Sequence, residues 1–228
     1  MIQVATLDSS CPDGIPIPRV RSQIFRSFWS APDTPALPLL VSSTDVRTPK
    51  VTQLTTSLGK SEVVWFIEGT RQQFRFTANV YIVPEPQHRL CDYFQQVLDK
   101  AGKESGLASL KKSEDWEKKR LELFRSMSAQ MKAIWSRPTS GTRLEGGQKT
   151  SKTWPEKIDE PDENDADKNG YEAAKRLWDK ALGNFAMVLI DPIEVDFIDL
   201  GVTPNIRTLF KKRILEGGVE WGEEELVP

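Results

Sequence analysis

The residues of this chain best suited to chemistry are cations set among hydroxyls and amides. PRVRSQIFRSFW, residues 18–29, carries Arg19, Arg21 and Arg26 in a stretch otherwise suited to a β-strand. SSTDVRTPK, residues 42–50, ends an apolar run with Ser43 and Thr44 and reaches Lys50 through Thr48 and Pro49; TRQQFRF, residues 70–76, adds the amide of Gln73. A strand that ends in small hydroxyl residues and turns into a helix start offers free backbone N–H groups, and Lys50 beside them makes a physical site for a phosphate. The competing reading of the arginines is an edge strand that uses charge to avoid pairing with other chains. On a regular strand Arg21 and Arg26 point to opposite faces, so either a bulge re-aims one of them or they serve different ends of a ligand. Arg19 shares a face with Arg21 and reads as a surface charge.

Other chemistries find little support. His88 is the single histidine, and a histidine triad or metal site needs partners the chain lacks. Cys11 and Cys91 lie far apart and neither sits in a CxxC, which argues against a disulfide framework or zinc site and for a reducing compartment. DADKNGYEAAKR opens like a calcium loop, with Asp165, Asp167, Asn169 and Gly170, but its twelfth position is Arg176 where a bidentate Glu is required, so it reads as a solvated acidic loop.

The elements that must position the cations are mostly strands. MIQVATLD, the arginine stretch and LLVSS read as strands, with Pro- and Gly-rich turns between them. A helix capped by Thr48 runs from Pro49 to about Gly59, with Val51, Leu54 and Leu58 at helical spacing. SEVVWFIE is expected to be a strand buried on both sides. RQQFRFTANVYIV places Phe74, Phe76, Ala78, Val80 and Ile82 on one face and polar groups on the other. Residues 86–135 turn helical, with segments around DYFQQVLDKAG and EDWEKKRLELFRSMSAQMKAIW. Residues 137–170 read as a long mobile insertion, and YEAAKRLWDKALG as a further helix. The late strands FAMVLIDP, EVDFIDL, RTLFKKRI and EWGEEELVP need partners from the early ones. The expectation is one α+β domain over residues 1–228, mainly β: a closed sheet decorated by helices.

With 31 basic and 33 acidic residues, no global field recruits nucleic acid or an anionic membrane, so any anion site is local. The chain has no long apolar stretch and no export-type start, so the expectation is a soluble, cytoplasmic protein without a membrane partner.

In order and spacing, ATLDSSCPDG, RSQIFR, STDVRTPKVTQL, VVWFIEGTRQQFR, WSRPTSGT, LIDPIEVDFIDL, RTLF and LVP resemble the FMN-binding split barrels of the pyridoxamine 5'-phosphate oxidase family. More narrowly they are similar to a branch with STDxRxxK and TRxQFR motifs. The resemblance implies an FMN-binding split β-barrel and a homodimer with FMN at its interface. It also implies a set of cofactor-binding residues: Arg21, Ser22, Gln23, Ile24, Phe25 and Arg26 along the flavin, Ser43 and Thr44 at the next strand end, Lys50 at the phosphate, Gln73, and the late Arg207. Pro49 stands where the oxidases keep a phosphate-binding Arg, which leaves Arg47 or Arg21 to compensate. Thr203, Pro204 and Asn205 replace the substrate-gripping Arg-Leu-His, and Ile198 replaces a flavin-packing Trp. The activity so implied is that of an FMN-dependent oxidoreductase with an altered substrate site, whose small-molecule substrate and catalytic residues stay open; the alternative is a flavin-binding carrier or sensor without turnover. An unliganded barrel with solvated arginines is the third reading.

Overall fold

The computed structural model describes residues 1–111, 115–162, 164, 168–216 and 218–228. The strands are β1 (Ile2–Asp8), β2 (Ile17–Gln23), β3 (Ser27–Trp29), β4 (Leu39–Asp45), β5 (Lys60–Ile67), β6 (Gln72–Val83), β7 (Phe185–Asp199), β8 (Ile206–Leu215) and β9 (Gly218–Leu226). The helices are α1 (Pro49–Thr56), α2 (Cys91–Lys100), α3 (Gly106–Leu110), α4 (Trp116–Arg125), α5 (Ala129–Ser136), α6 (Gln148–Ser151) and α7 (Lys168–Asn184).

Among the described residues these nine strands form one antiparallel sheet, seven of them in the order β2-β1-β5-β6-β7-β4-β3 with β8 and β9 branching from β7. The two ends of that order, β2 and β3, are consecutive in the chain with only Ile24, Phe25 and Arg26 between them, so the sheet must curl until its edges meet. The seam is hydrogen-bonded: the Arg26 N–H donates to the Val41 carbonyl at 2.8 Å, and the Ser42 hydroxyl donates to the Ile24 carbonyl at 2.9 Å. The result is the expected split barrel. Its interior is filled by the alternating residues of β6 (Phe76, Ala78, Val80, Ile82) with Ile2, Val4, Val63, Ala186, Val188 and Ile190.

The other face of β4, β6 and β7 is covered by α2 and α3 through Leu39, Val41, Val83, Phe94, Leu98, Leu107 and Leu189. A third cluster joins α4, α5 and α7 to Phe185 at the start of β7. There the fully buried Arg120 of α4 donates to the Leu182 and Phe185 carbonyls at 2.8 and 2.9 Å while pairing with Glu117. It thereby satisfies carbonyls that the end of α7 leaves free. Ile158, buried, packs in the same cluster, so the 137–170 segment is anchored at that point.

β7 makes the barrel split. Its first half pairs with β4 and its second half with β8 on the same edge, and β8 continues into β9. The sequence suggests two strands here, broken at Pro192, but the chain runs as one. The register against β6 shifts between Thr77 and Ala78, and Pro192 sits at that irregularity, where a missing N–H is tolerated.

Other expectations need correction. PRVRSQIFRSFW is two strands, β2 and β3, because its middle crosses from pairing with β1 to pairing with β4. β5 is not buried on both sides: only Val63 is fully buried, while Glu62 and Phe66 on its outer face are exposed. The helix starting at Pro49 stops at Thr56; Thr48 sits at its N-cap without a side-chain capping bond, its hydroxyl donating instead to the Asp45 carbonyl. Gly59 then carries φ +80° in the turn to β5, where a Cβ would meet the Val80 carbonyl oxygen at 2.7 Å. The long helical stretch ending at Trp135 is divided into α4 and α5. Of the failed calcium loop, Asp165 and Asp167 lie outside the described residues, and no metal-ligating cluster occurs among the described ones.

Candidate functional site

The strand-to-helix turn after β4 and the middle of β2 meet at one place. Arg21 donates to the Thr6 hydroxyl and to the Gln53 side-chain oxygen, both at 2.9 Å, and Thr6 in turn donates to Gln53 at 2.7 Å. All these acceptors are neutral, so Arg21 is fixed in place while its charge is left without a carboxylate. Lys50, at the start of α1, is close enough to Arg21 to feel its charge. Burial, then repulsion from Arg21, hold the Lys50 ammonium below the ordinary lysine range, with Asp45 pulling the other way. Asp45 is already taken: Arg47 donates to its two oxygens through Nε at 2.9 Å and Nη2 at 2.6 Å. No hydrogen bond or ion pair engages Lys50 among the described residues.

Arg47 is thus engaged by Asp45. Its guanidinium also reaches the Trp135 and Arg137 carbonyls at 3.3 and 3.0 Å, which ties the end of α5 to the β4–α1 turn. Of the two candidates, Arg21 is the one without a carboxylate hydrogen bond among the described residues.

The rest of the arginine stretch turns the barrel corner. Ser22 is exposed; Gln23 is buried, accepts from Ser42 at 3.1 Å and leaves its Nε2 without a partner. Phe25 packs on the barrel interior and against Trp65, ring centroids 4.6 Å apart, while Ile24 stays partly exposed. Arg26 makes only a long contact to the Met127 sulfur at 3.8 Å; its Nε is buried without a partner, and burial lowers its pKa. The break between β2 and β3 separates the two arginines, Arg21 reaching Thr6 and Gln53 and Arg26 reaching Met127. Arg19 is a surface charge paired with Asp8 at 3.3 Å.

Ser43 and Thr44 are neighbours on β4 and so face opposite sides: Thr44 is buried on the barrel side, and Ser43 is half-buried on the α2 side with no side-chain hydrogen bond among the described residues. Gln73 and Arg207 are brought together, but elsewhere. They lie in one cross-strand row, Gln73 of β6, Ile198 of β7 and Arg207 of β8. Arg207 donates to both oxygens of Asp196 at 3.0 and 2.9 Å, and Arg75 pairs with the same carboxylate. Hydrogen bonding from Arg207, with help from Arg75, holds the Asp196 carboxyl below the usual range. Thr203, Pro204 and Asn205 are exposed in the loop before β8.

The sequence reading missed Gln53, Asp45 and Asp196. Asp45 and Arg47 were visible as the D-x-R of STDVR; Asp196 lies opposite Arg75 of β6 and diagonal to Arg207 of β8, a placement set only by the strand register.

A curled antiparallel sheet whose edges meet, with helices on its outer face, is the architecture of a split barrel. Residues 1–84 match the family described as pyridoxamine 5'-phosphate oxidase, FMN-binding domain, and that family implies FMN as the cofactor. Over its whole length the chain is similar in structure to a pyridoxamine 5'-phosphate oxidase-related, FMN-binding protein of Nostoc punctiforme, with TM-score 0.63 and 20% identity, covering 100% of this chain and 87% of that one. It is also similar to PhzG of Burkholderia lata, solved in complex with tetrahydrophenazine-1-carboxylic acid, with TM-score 0.51 and 16% identity over 100% and 81% of the two chains. At these identities the likeness establishes the fold. No curated protein sequence matches the chain.

The residues present fit FMN. Among the described residues no carboxylate hydrogen-bonds Lys50 or Arg21, Asp45 and Asp8 acting on them only at longer range, and Arg26 and Gln23 keep buried N–H groups without acceptors, which is what a phosphorylated, carbonyl-rich ligand needs.

Proposed function

We propose that this protein is an FMN-dependent oxidoreductase that works as a homodimer. The observation that carries the flavin assignment is the pairing of Arg21 with neutral acceptors beside an uncompensated Lys50. Two half-buried like charges repel one another, and a terminal phosphate beside them relieves that repulsion. In this reading Lys50, Arg21 and the α1 N-terminus hold the phosphate, while Gln23–Arg26 line the approach to the ring, and of Ser43 and Thr44, which face opposite sides of β4, one side chain at most reaches it. Bound flavin supplies hydride-accepting chemistry; the chain's own groups bind and orient it and keep water from its phosphate.

The placement of the resemblance-implied residues along β7 bears on the homodimer. Ser43 pairs with Met187 and Arg207 with Ile198, eleven residues along the same strand. That is roughly 35 Å of extended chain, longer than an FMN molecule. If both groups serve one flavin, they come from two copies, and an isologous pair then forms two identical composite sites. The outer face of the Gln73–Ile198–Arg207 row continues into the exposed Phe66 of β5, a mixed face on which Phe66 and Ile198 lie beside the charged Arg75, Asp196 and Arg207. The free Cys11 and Cys91 accord with a cytoplasmic setting, and no helix among the described residues is long and apolar enough to cross a membrane.

A second reading, a flavin carrier or sensor without turnover, is favoured by the exposed Thr203-Pro204-Asn205 loop, which offers no cation for a substrate phosphate. Two experiments test these readings. Fluorescence-quenching titration should give far tighter binding of FMN than of riboflavin; equal affinities would remove the phosphate site. Anaerobic mixing of the FMN-loaded protein with NADH, NADPH or pyridoxamine 5'-phosphate should bleach the flavin with at least one of them. If none does, the carrier reading stands.

A further inference from the structure

A half-open space lies away from the Arg21–Lys50 cluster. It is a cavity of about 600 Å³ between α2, the C-terminal end of α1, and the strands β6, β7 and β8. None of Arg21, Arg26, Lys50, Gln73 and Arg207 lines it. Asn79 and Tyr81 enter it from the face of β6 opposite the barrel interior, because residues alternate sides along the strand.

Its floor is polar and internally neutral. Lys212 donates to Asp191 at 2.7 Å with both side chains buried, Ser105 donates to the other Asp191 oxygen at 2.6 Å, and the Lys212 ammonium lies 5.5 Å from the Trp221 ring centroid. Both carboxylate oxygens are thus occupied, and the pair has no net charge to offer. The walls are apolar and aromatic: Val97, Ala101, Ile193 and the rings of Tyr81 and Tyr93. The Tyr93 hydroxyl is itself buried and has no hydrogen-bond partner among the described residues. A buried hydroxyl without a partner is uncommon and points to an absent one. Burial raises the pKa of both phenols, so they stay protonated and able to donate. At the rim, Lys60 and Lys100 make no ion pair among the described residues, and Glu104 is the one acid among the lining residues besides Asp191.

We propose that this cavity is a second binding site, distinct from the flavin's, for a small amphipathic anion: a flat apolar body seated between the tyrosines and Val97, with one acidic group at Lys60 and Lys100. The volume falls within the range of small-molecule pockets, and an apolar lining with a few convergent polar groups is their usual composition.

The probe for the test is 8-anilinonaphthalene-1-sulfonate, a flat aromatic anion, titrated calorimetrically into the full-length protein with and without saturating FMN. One molecule per chain should bind saturably and with the same affinity in both cases. Replacing both rim lysines, Lys60→Ala with Lys100→Ala, should weaken binding roughly five- to twentyfold while leaving FMN affinity unchanged. Gln96→Trp, an exposed substitution at the mouth, should abolish it. Tyr93→Phe should weaken the probe and at the same time raise the melting temperature of the probe-free protein, since it removes an unsatisfied hydroxyl without changing the shape of the cavity. That opposite pair of effects is not expected of a merely structural tyrosine. The proposal is overturned if no saturable site is found, if FMN displaces the probe, or if the lysine and Gln96 variants bind it as the parent does.

Discussion

Arg21 and Arg19 stand two positions apart on one strand face, yet one is anchored to neutral acceptors and the other to a surface carboxylate. That contrast is what the proposed anion site predicts and an ordinary charged edge does not. Arg21→Ala and Arg26→Ala are each expected to lower FMN affinity roughly ten- to a hundredfold, the loss of one charge-assisted contact. Arg19→Ala should leave it unchanged. Titration of the three single variants decides the matter; parent-like binding by the first two would return the stretch to an edge role. Lys50 adds a pH signature. Its folded pKa is lowered, so between that value and the ordinary lysine value of about 10.4 the unfolded chain binds more protons, and the ligand-free protein gains stability as pH rises. A bound phosphate favours the charged amine, so binding takes up a proton and FMN affinity should fall as pH rises through the same window. Lys50→Met should flatten the part of that slope due to this amine. An identical slope in the variant would detach Lys50 from the phosphate.

At the scale of elements, two arginines act as clamps. Arg47 joins the β4–α1 turn to α5, and Arg120 joins α4 to the junction of α7 and β7. Arg120→Ala leaves buried carbonyls without donors and is expected to cost about 3 kcal/mol or more of stability, read as a lower urea midpoint at unchanged slope. A loss within the range of ordinary surface substitutions would mean that the α7–β7 junction holds itself. Neither clamp was legible beforehand, since each depends on elements far apart in sequence. What was legible was local: the period-two pattern of β6, the Pro49 helix start, and the early placement of Arg21 and Lys50 near one another. The β2–β3 break and the continuity of β7 through Pro192 escaped because both depend on which strand lies alongside. An apolar run such as that of β5 reads alike whether one face is covered or two.

For the whole molecule, the separation of Ser43 and Thr44 from Arg207 along β7 yields a prediction about assembly. Lys50→Ala and Arg207→Ala are each expected to bind FMN poorly as pure proteins. When the two variants are co-expressed and assort at random, composite sites predict that roughly a quarter of all sites regain both groups, because half of the dimers are mixed and each mixed dimer restores one of its two sites. Flavin content of the co-purified protein measures this directly. No recovery would place both groups in one chain's site.

The late entry of β7 has a consequence for the order in which the chain acquires its structure. β4 and β6 are made within the first 83 residues, but the strand that lies between them begins only at Phe185. During synthesis both strands present open, hydrogen-bond-hungry edges, and the helices α2 to α7 must emerge before those edges are closed. Contacts of that sequence separation form slowly, because a long loop must close before they reward it. The barrel is thus a structure completed from its far end, and the nascent chain is at its most vulnerable to self-association just before the ribosome delivers the strand that seals it.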